Sequence, residues 1–322
     1  MGMLLAETWM RKRRVTLTRP RGLRQAAALS LGLLAAHMAQ GADDFGPLIA
    51  PETVMAQRDD WVVLDIRWKG PFTPQGFIPG ARRVWLHDIL ATREVNGETV
   101  RRYRVSPETF EAVLQRAGVD RDAKIVVTSS ARSPFNLAAA SRLYWHLKLV
   151  GHDRVALLDG GNAAWKALGG DLVTEPSAPG RRGDFRAKDE DPSLVAETAQ
   201  VVRASETRAA GLVEARGRAE YEGWLGFAGH IPGARLLANQ TVAPGGGYGR
   251  FESPDRIDAL AQAAGLAPDR PAIAYCNSGV YSSVVWFALH EIAGRAEVAN
   301  YDGSMMAWTA DPARPVTRGA QP

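Results

Sequence analysis

Gly229-His230-Ile231-Pro232-Gly233-Ala234 stands shortly after Gly211-Leu212-Val213-Glu214-Ala215-Arg216, and this pair decides the fold because the chain carries it twice. The earlier copy reads Val62-Val63-Leu64-Asp65-Ile66-Arg67, then Gly76-Phe77-Ile78-Pro79-Gly80-Ala81. Further landmarks recur in the same order. Ser106-Pro107 returns as Ser253-Pro254, Gly118 as Gly265, and Asp122 as Asp269. Leu158-Asp159-Gly160-Gly161 with Trp165 returns as Tyr301-Asp302-Gly303-Ser304 with Trp308. Matching landmarks at so long a period describe a duplicated domain rather than a solenoid.

Within each copy, apolar β-rich runs alternate with helical periodicity. Trp61 to Leu64, Ile125 to Thr128 and Val155 to Leu158 read as strands, and Pro107 to Ala117 and Phe135 to Leu149 as helices. The second copy offers strands at Gly211 to Val213, Ala272 to Tyr275 and Val298 to Tyr301, with helices at Pro254 to Ala264 and Ser282 to Ala293. Such alternation predicts an α/β fold, each half a mainly parallel sheet covered by helices on both faces. Glu175 to Asp184 is rich in Pro, Gly and charge, as a linker is. The expected division is a leader over 1–42, a first domain over 43–175, a linker over 176–194 and a second domain over 195–316.

At 322 residues, 46% hydrophobic and 23% charged, the chain has the size and composition of a two-domain globular protein. Its net charge of +4 owes much to Arg11, Lys12, Arg13, Arg14, Arg19, Arg21 and Arg24. No basic face recurs later, so nucleic acid is not expected as a partner. That cationic stretch precedes the apolar run Ala26 to Ala36 and the small residues Ala39, Gly41 and Ala42, the layout of a secretory signal. The run is short for a membrane span, and an uncleaved anchor is the alternative. Arg13-Arg14 suggests a twin-arginine signal, but Thr16 stands where a large apolar residue belongs, and Met10 would start a more ordinary leader. The expected location is periplasmic or secreted, without stable membrane association after cleavage.

The single cysteine, Cys276, cannot form an internal disulfide. It lies in Tyr275-Cys276-Asn277-Ser278-Gly279-Val280-Tyr281-Ser282, where a strand end feeds a glycine-containing loop that opens a helix. Inward-turned N–H groups and a helix N-terminus favour thiolate, the nucleophilic form of sulfur. A small buried core residue is the alternative reading. The offset that carries Ser106 to Ser253 and Gly118 to Gly265 carries Ser129 to Cys276, and Gly279 is matched by Arg132. One copy therefore keeps sulfur at the loop while the other holds a hydroxyl with no base beside it in the sequence.

Taken together, Glu214-Ala215-Arg216, Gly229 to Ala234, Cys276 to Gly279, and Tyr301 to Ser304 with Trp308 resemble the motifs of tandem rhodanese-type sulfurtransferases, the thiosulfate and 3-mercaptopyruvate group. The resemblance runs from about Asp44 to Pro315. It implies two tandem rhodanese domains with the active cysteine in the C-terminal one, near the interface. It also implies a Cys276 persulfide that carries sulfur from a small donor to cyanide or a thiol, without metal or organic cofactor. Asn277, Ser278, Gly279, Val280 and Tyr281 would form the cradle, and Arg216 an anion contact, its alternative being a simple ion pair with Glu214 or another acid. Family loops that prefer thiosulfate often carry cations after the cysteine. Asn277 and Ser278 are neutral, which leans away from a dianion. The Arg216 to Phe227 segment is short: Arg216 and Arg218 could serve as carboxylate contacts, but a second clamp further along is missing, and Tyr281 is bulky where the family usually has a small residue.

Other chemistries fit less well. A cysteine phosphatase needs arginine six positions after its nucleophile, where this chain has Ser282. His37, His87, His146, His152, His230 and His290 show no metal-ligand spacing. Gly245-Gly246-Gly247-Tyr248-Gly249 lacks the setting of a phosphate loop and reads as a flexible connection. His230 is expected to hold its turn, Asp302 and Gly303 to shape another beside the loop, Arg67 to be structural, and Trp308 to pack the core. A carrier that accepts a persulfide and hands it to one partner, without turnover, remains the alternative to an enzyme.

Overall fold

The computed structural model describes residues 46–70, 76–227, 229–244 and 249–322; the expected leader and residues 245–248 of the glycine-rich stretch lie outside them. Strands β1 (Leu48–Ile49), β2 (Val62–Arg67) and β3 (Arg82–Trp85) precede a hairpin of β4 (Leu90–Val95) and β5 (Glu98–Arg104), then β6 (Ile125–Thr128) and β7 (Val155–Leu158). The second half holds β8 (Val195–Ala196), β9 (Gly211–Glu214), β10 (Arg235–Leu236), β11 (Ala272–Tyr275) and β12 (Val298–Tyr301). The two five-stranded sheets run β1-β7-β6-β2-β3 and β10-β9-β11-β12-β8. Every pairing within them is parallel. Read from opposite edges, the orders match strand for strand, so the sequence repeat is also a repeat of topology.

Alternation along each strand assigns its faces. In β6, Ile125 and Val127 enter one core while Val126 enters another. In β11, Ala272 and Ala274 face one core, and Ile273 and Tyr275 the other. The first of these cores is shared: Leu64 and Val127 of the first half and Val213, Ala274 and Trp286 of the second belong to the same buried cluster. Cys276, one residue beyond β11, keeps the phase of Ala272 and Ala274 and joins that cluster. Strand parity thus turns the cysteine toward the other domain.

Helices Pro107–Arg116 and Pro254–Ala263 begin with Ser106 and Ser253, each accepting from the backbone N–H three residues on, with proline at the first helical position. Helix Pro134–Leu149 is buried along most of its length because it lies between the two sheets. It meets helix Ser282–Trp286, which continues as a π-helical stretch over Phe287–Ile292. Tyr144 packs edge-on against Phe287 at 4.7 Å and donates to Glu291 at 2.8 Å, and Ser283 donates to the Ala138 carbonyl at 3.3 Å. Burying a side chain of this size contributes about 2 kcal/mol. The seam is built as a core.

Two features add to the sequence reading. The proline-rich connection is strapped onto the first domain: Phe185 is fully buried, and Gly183, Phe185 and Asp191 donate to Gln115, Val119 and Leu149. The β4–β5 hairpin was not expected. Its Asn96-Gly97 turn has φ of 51° and 79°, the left-handed pair a tight hairpin requires, but its charged strands hide the apolar alternation that marks strands.

Candidate active site

Cys276 opens the loop after β11 and is 1% exposed. Its sulfur receives the Ser278 N–H at 3.4 Å. The N–H groups of Val280 and Tyr281 have no acceptor among the described residues. Gly279 sits at φ +72°, and an added Cβ would lie 2.6 Å from both Arg142 Nη1 and Asp302 Oδ1. Only glycine closes this loop without displacing those charges.

The Ser304 hydroxyl holds the loop from behind. It accepts from Cys276 N at 3.1 Å and Gly279 N at 2.9 Å, and donates to the Tyr301 carbonyl at 2.8 Å. Met305 N and Met306 N then donate to the carbonyls of Cys276 and Asn277 at 3.0 and 3.1 Å. Ser304 has φ +50°, a left-handed conformation that costs a serine about 1–2 kcal/mol. Its repeat counterpart is Gly161 at φ +54°. Both copies hold this one position left-handed, although the residue before it differs (Gly160 at φ +76°, Gly303 at φ −64°), and only the copy with the cysteine places a hydroxyl there.

Charge reaches the loop from the first domain. Arg142, fully buried in helix Pro134–Leu149, donates to the Gly279 carbonyl at 3.0 Å and pairs with Asp302. Asp302 also accepts from the Arg104 backbone N–H at 2.7 Å, and Arg104 pairs with Glu190 and Glu197. Burial draws the Arg142 pKa below its ordinary value, and Asp302 opposes that shift. The Arg142 Nε–H has no partner among the described residues. The aspartate expected to shape a turn is the anionic pivot of a cross-domain charge cluster, and Arg104 and Arg142 went unread because nothing near them in sequence points to the cysteine.

Arg216 makes the ion pair with Glu214 that was the alternative to an anion contact. It is 2% exposed, and its five N–H donors are all engaged by protein acceptors. Nε and Nη2 bond the Glu214 carboxylate at 2.8 and 2.6 Å, Nη2 also the Gly229 carbonyl at 2.7 Å, and Nη1 the Phe227 carbonyl and Asn277 Oδ1 at 2.9 and 3.0 Å. Burial alone would lower its pKa, but Glu214 more than reverses this and raises it. In this arrangement Arg216 reaches the loop only through Asn277 and keeps no donor for an incoming anion. Arg67 likewise pairs with buried Asp65.

The remaining candidates are accounted for. His230 stacks on Tyr221 at 3.7 Å, with its ring nitrogens against the Tyr221 and Gln321 carbonyls, and so holds its turn. Trp308 is buried and donates to the Pro315 carbonyl. Tyr281 is half-buried, and its ring meets Phe135 of the first domain edge-on at 6.1 Å. Burial raises the Tyr281 pKa, as do the nearby charges of Cys276 and Glu220, while Arg102 lowers it. No group of three or more His, Cys, Asp or Glu side chains suited to a metal occurs among the described residues.

A lone thiol on an N–H-bearing loop at a strand end, roofed by a second domain, defines a class of group-transfer protein that works through covalent sulfur. The rhodanese-like domain family matches residues 51–168 and 197–311. A putative thiosulfate sulfurtransferase of Saccharopolyspora erythraea is 34% identical over 247 residues, covering 73% of this chain and 81% of that protein. The sulfur carrier protein TtuD of Thermus thermophilus is 30% identical over 262 residues, covering 76% and 87%. The crystal structure of the 3-mercaptopyruvate sulfurtransferase SseA from Escherichia coli aligns with a TM-score of 0.69 at 26% identity, covering 80% of this chain and 98% of that one. The chain belongs to the rhodanese family of sulfurtransferases, in the two-domain form.

Proposed function

We propose that the protein moves sulfane sulfur from a small donor, thiosulfate or 3-mercaptopyruvate, to cyanide or a thiol by two displacements at Cys276. The Cys276 thiolate attacks the transferable sulfur of the donor. The new S–S bond forms as the donor's bond to that sulfur breaks, and its electron pair leaves with sulfite or pyruvate. The acceptor then attacks the outer sulfur, and the S–S electron pair returns to Cys276. One difficult transfer becomes two easier ones, with ping-pong kinetics. In this reading Ser278, Val280 and Tyr281 supply N–H donors to the sulfur anion, Asn277 and Gly279 set the loop's shape, and Arg216 holds Asn277.

The observation that carries the reading is the position of the chain's one cysteine on the loop that both domains brace. Thiocyanate release from cyanide, with each donor in parallel, tests it. Turnover is expected in the wild type and absent in Cys276→Ser; substantial activity in that variant would overturn the mechanism.

A carrier role is the second reading, favoured by the likeness to the Thermus sulfur carrier protein. Stoichiometric loading of Cys276 without turnover on small acceptors would select it. Export to the periplasm or outside the cell is part of the proposal, supported by the basic stretch ahead of Ala26 to Ala36. Cell fractionation checks this: mature protein confined to the cytoplasm would refute it.

A further inference from the structure

Arg102 stands apart from the other arginines near the site. In the hairpin, Ala91 pairs with Tyr103 and Thr92 with Arg101, so Arg102 is the extra residue of a β-bulge. It has φ +68°, where glycine is the ordinary occupant. Residues held in that region cluster where function over-rides backbone preference. The bulge breaks the ladder's alternation, and the exposed guanidinium comes to lie 5.4 Å above the Trp68 ring.

From Trp68 an aromatic wall runs to the cysteine loop. Trp68 meets Phe135 edge-on at 5.6 Å, and Phe135 meets Tyr281 at 6.1 Å. Tyr281 stands two residues after Gly279 on the loop that Cys276 opens, so the ring contacts lead from Arg102 to that loop. The Arg102 guanidinium has no hydrogen-bond or carboxylate partner among the described residues and rests on the Trp68 ring. Arg104, Arg142 and Arg216, by contrast, are all paired with acids.

We propose that Arg102, presented by the strained bulge of the first domain, receives the anionic end of the sulfur donor at the outer end of the aromatic wall that leads to the Cys276 loop. The inference rests on the sulfurtransferase reading for its substrate. It locates in the other domain the anion contact that Arg216 is too fully engaged to make. A guanidinium over an aromatic face suits a planar carboxylate, or a sulfonate-like oxyanion, that must be held while its sulfur points inward.

The test compares Arg102→Gln, Arg102→Lys and Arg102→Gly with the wild type. For 3-mercaptopyruvate and thiosulfate, Arg102→Gln is expected to raise KM about tenfold, as loss of one charge-assisted hydrogen bond would, with kcat within about twofold. Arg102→Lys should recover part of the loss. Arg102→Gly suits the backbone at +68°, so its Tm should hold or rise while KM rises, which a merely structural arginine would not produce. Alkylation of Cys276 gives a readout without turnover: the rate ratio of anionic iodoacetate to neutral iodoacetamide should fall severalfold in Arg102→Gln. An unchanged KM together with an unchanged alkylation ratio overturns the proposal. A lowered ratio in a protein that turns over no donor would keep Arg102 as the anion contact and remove the sulfurtransferase reading instead.

Discussion

At the scale of single residues, the loop depends on two left-handed positions with opposite logic. Gly279 is glycine because a Cβ would strike Arg142 and Asp302. Ser304 is not glycine, although its repeat counterpart is, because its hydroxyl takes two loop N–H groups. Gly279→Ala should therefore cost about 2 kcal/mol or more in urea denaturation and abolish transfer. Ser304→Gly should behave differently, since relief of backbone strain offsets the lost hydrogen bonds. Its Tm should stay near the wild type while sulfur transfer falls at least about tenfold, as loss of one preorganising donor–acceptor group does. Full activity in Ser304→Gly would mean that the hydroxyl is dispensable. Gly279 is legible in the sequence as part of a motif, whereas the role of Ser304 emerges only when its counterpart Gly161 proves to have the same φ.

At the scale of elements, helices Pro134–Leu149 and Ser282–Trp286 with its π continuation form the seam that roofs the cysteine. Glu291 within it accepts from the Tyr144 hydroxyl and lies 3.0 Å from His290 Nδ1. Burial would raise the Glu291 pKa, but those hydrogen bonds and Lys148 hold it below its ordinary 4.5. A carboxyl depressed in the folded state contributes stability above its unfolded pKa, and that contribution is lost as pH falls through the folded value. Glu291→Gln should therefore lower stability by about 1 kcal/mol near neutrality. The gap should close as pH drops below 4.5 toward the folded pKa. Thermal melts of both proteins across that range check the sign; a gap that widens in acid would refute it. The periodicity of both helices is plain in the sequence, but their mutual packing is not, because apolar residues specify burial without naming the partner.

At the scale of the whole molecule, the domains are not independently complete. Val213, Ala274 and Trp286 share a core with Leu64 and Val127, and Asp302 is neutralised by arginines of the other half. Residues 195–316 expressed alone should expose that apolar face and leave Asp302 buried without its cations, a defect worth about 3–5 kcal/mol. Limited proteolysis and near-ultraviolet circular dichroism of that fragment provide the check. A protease-resistant, active fragment would refute the shared-core account.

The sequence by itself determined the duplication, the parallel α/β architecture, and the placement of Cys276 between a strand and a helix. These features depend on near neighbours: side-chain period, glycine and proline at turns, and capping serines. Tertiary structure alone decided what surrounds the sulfur. The contacts of Arg142 and Arg104 with the loop and Asp302 span 137 to 198 residues, and the bulge that turns Arg102 outward is set by hairpin register. A charge written in sequence carries no address until the chain folds. Here folding gave Arg216 to Glu214 and brought the first domain's arginines to the cysteine.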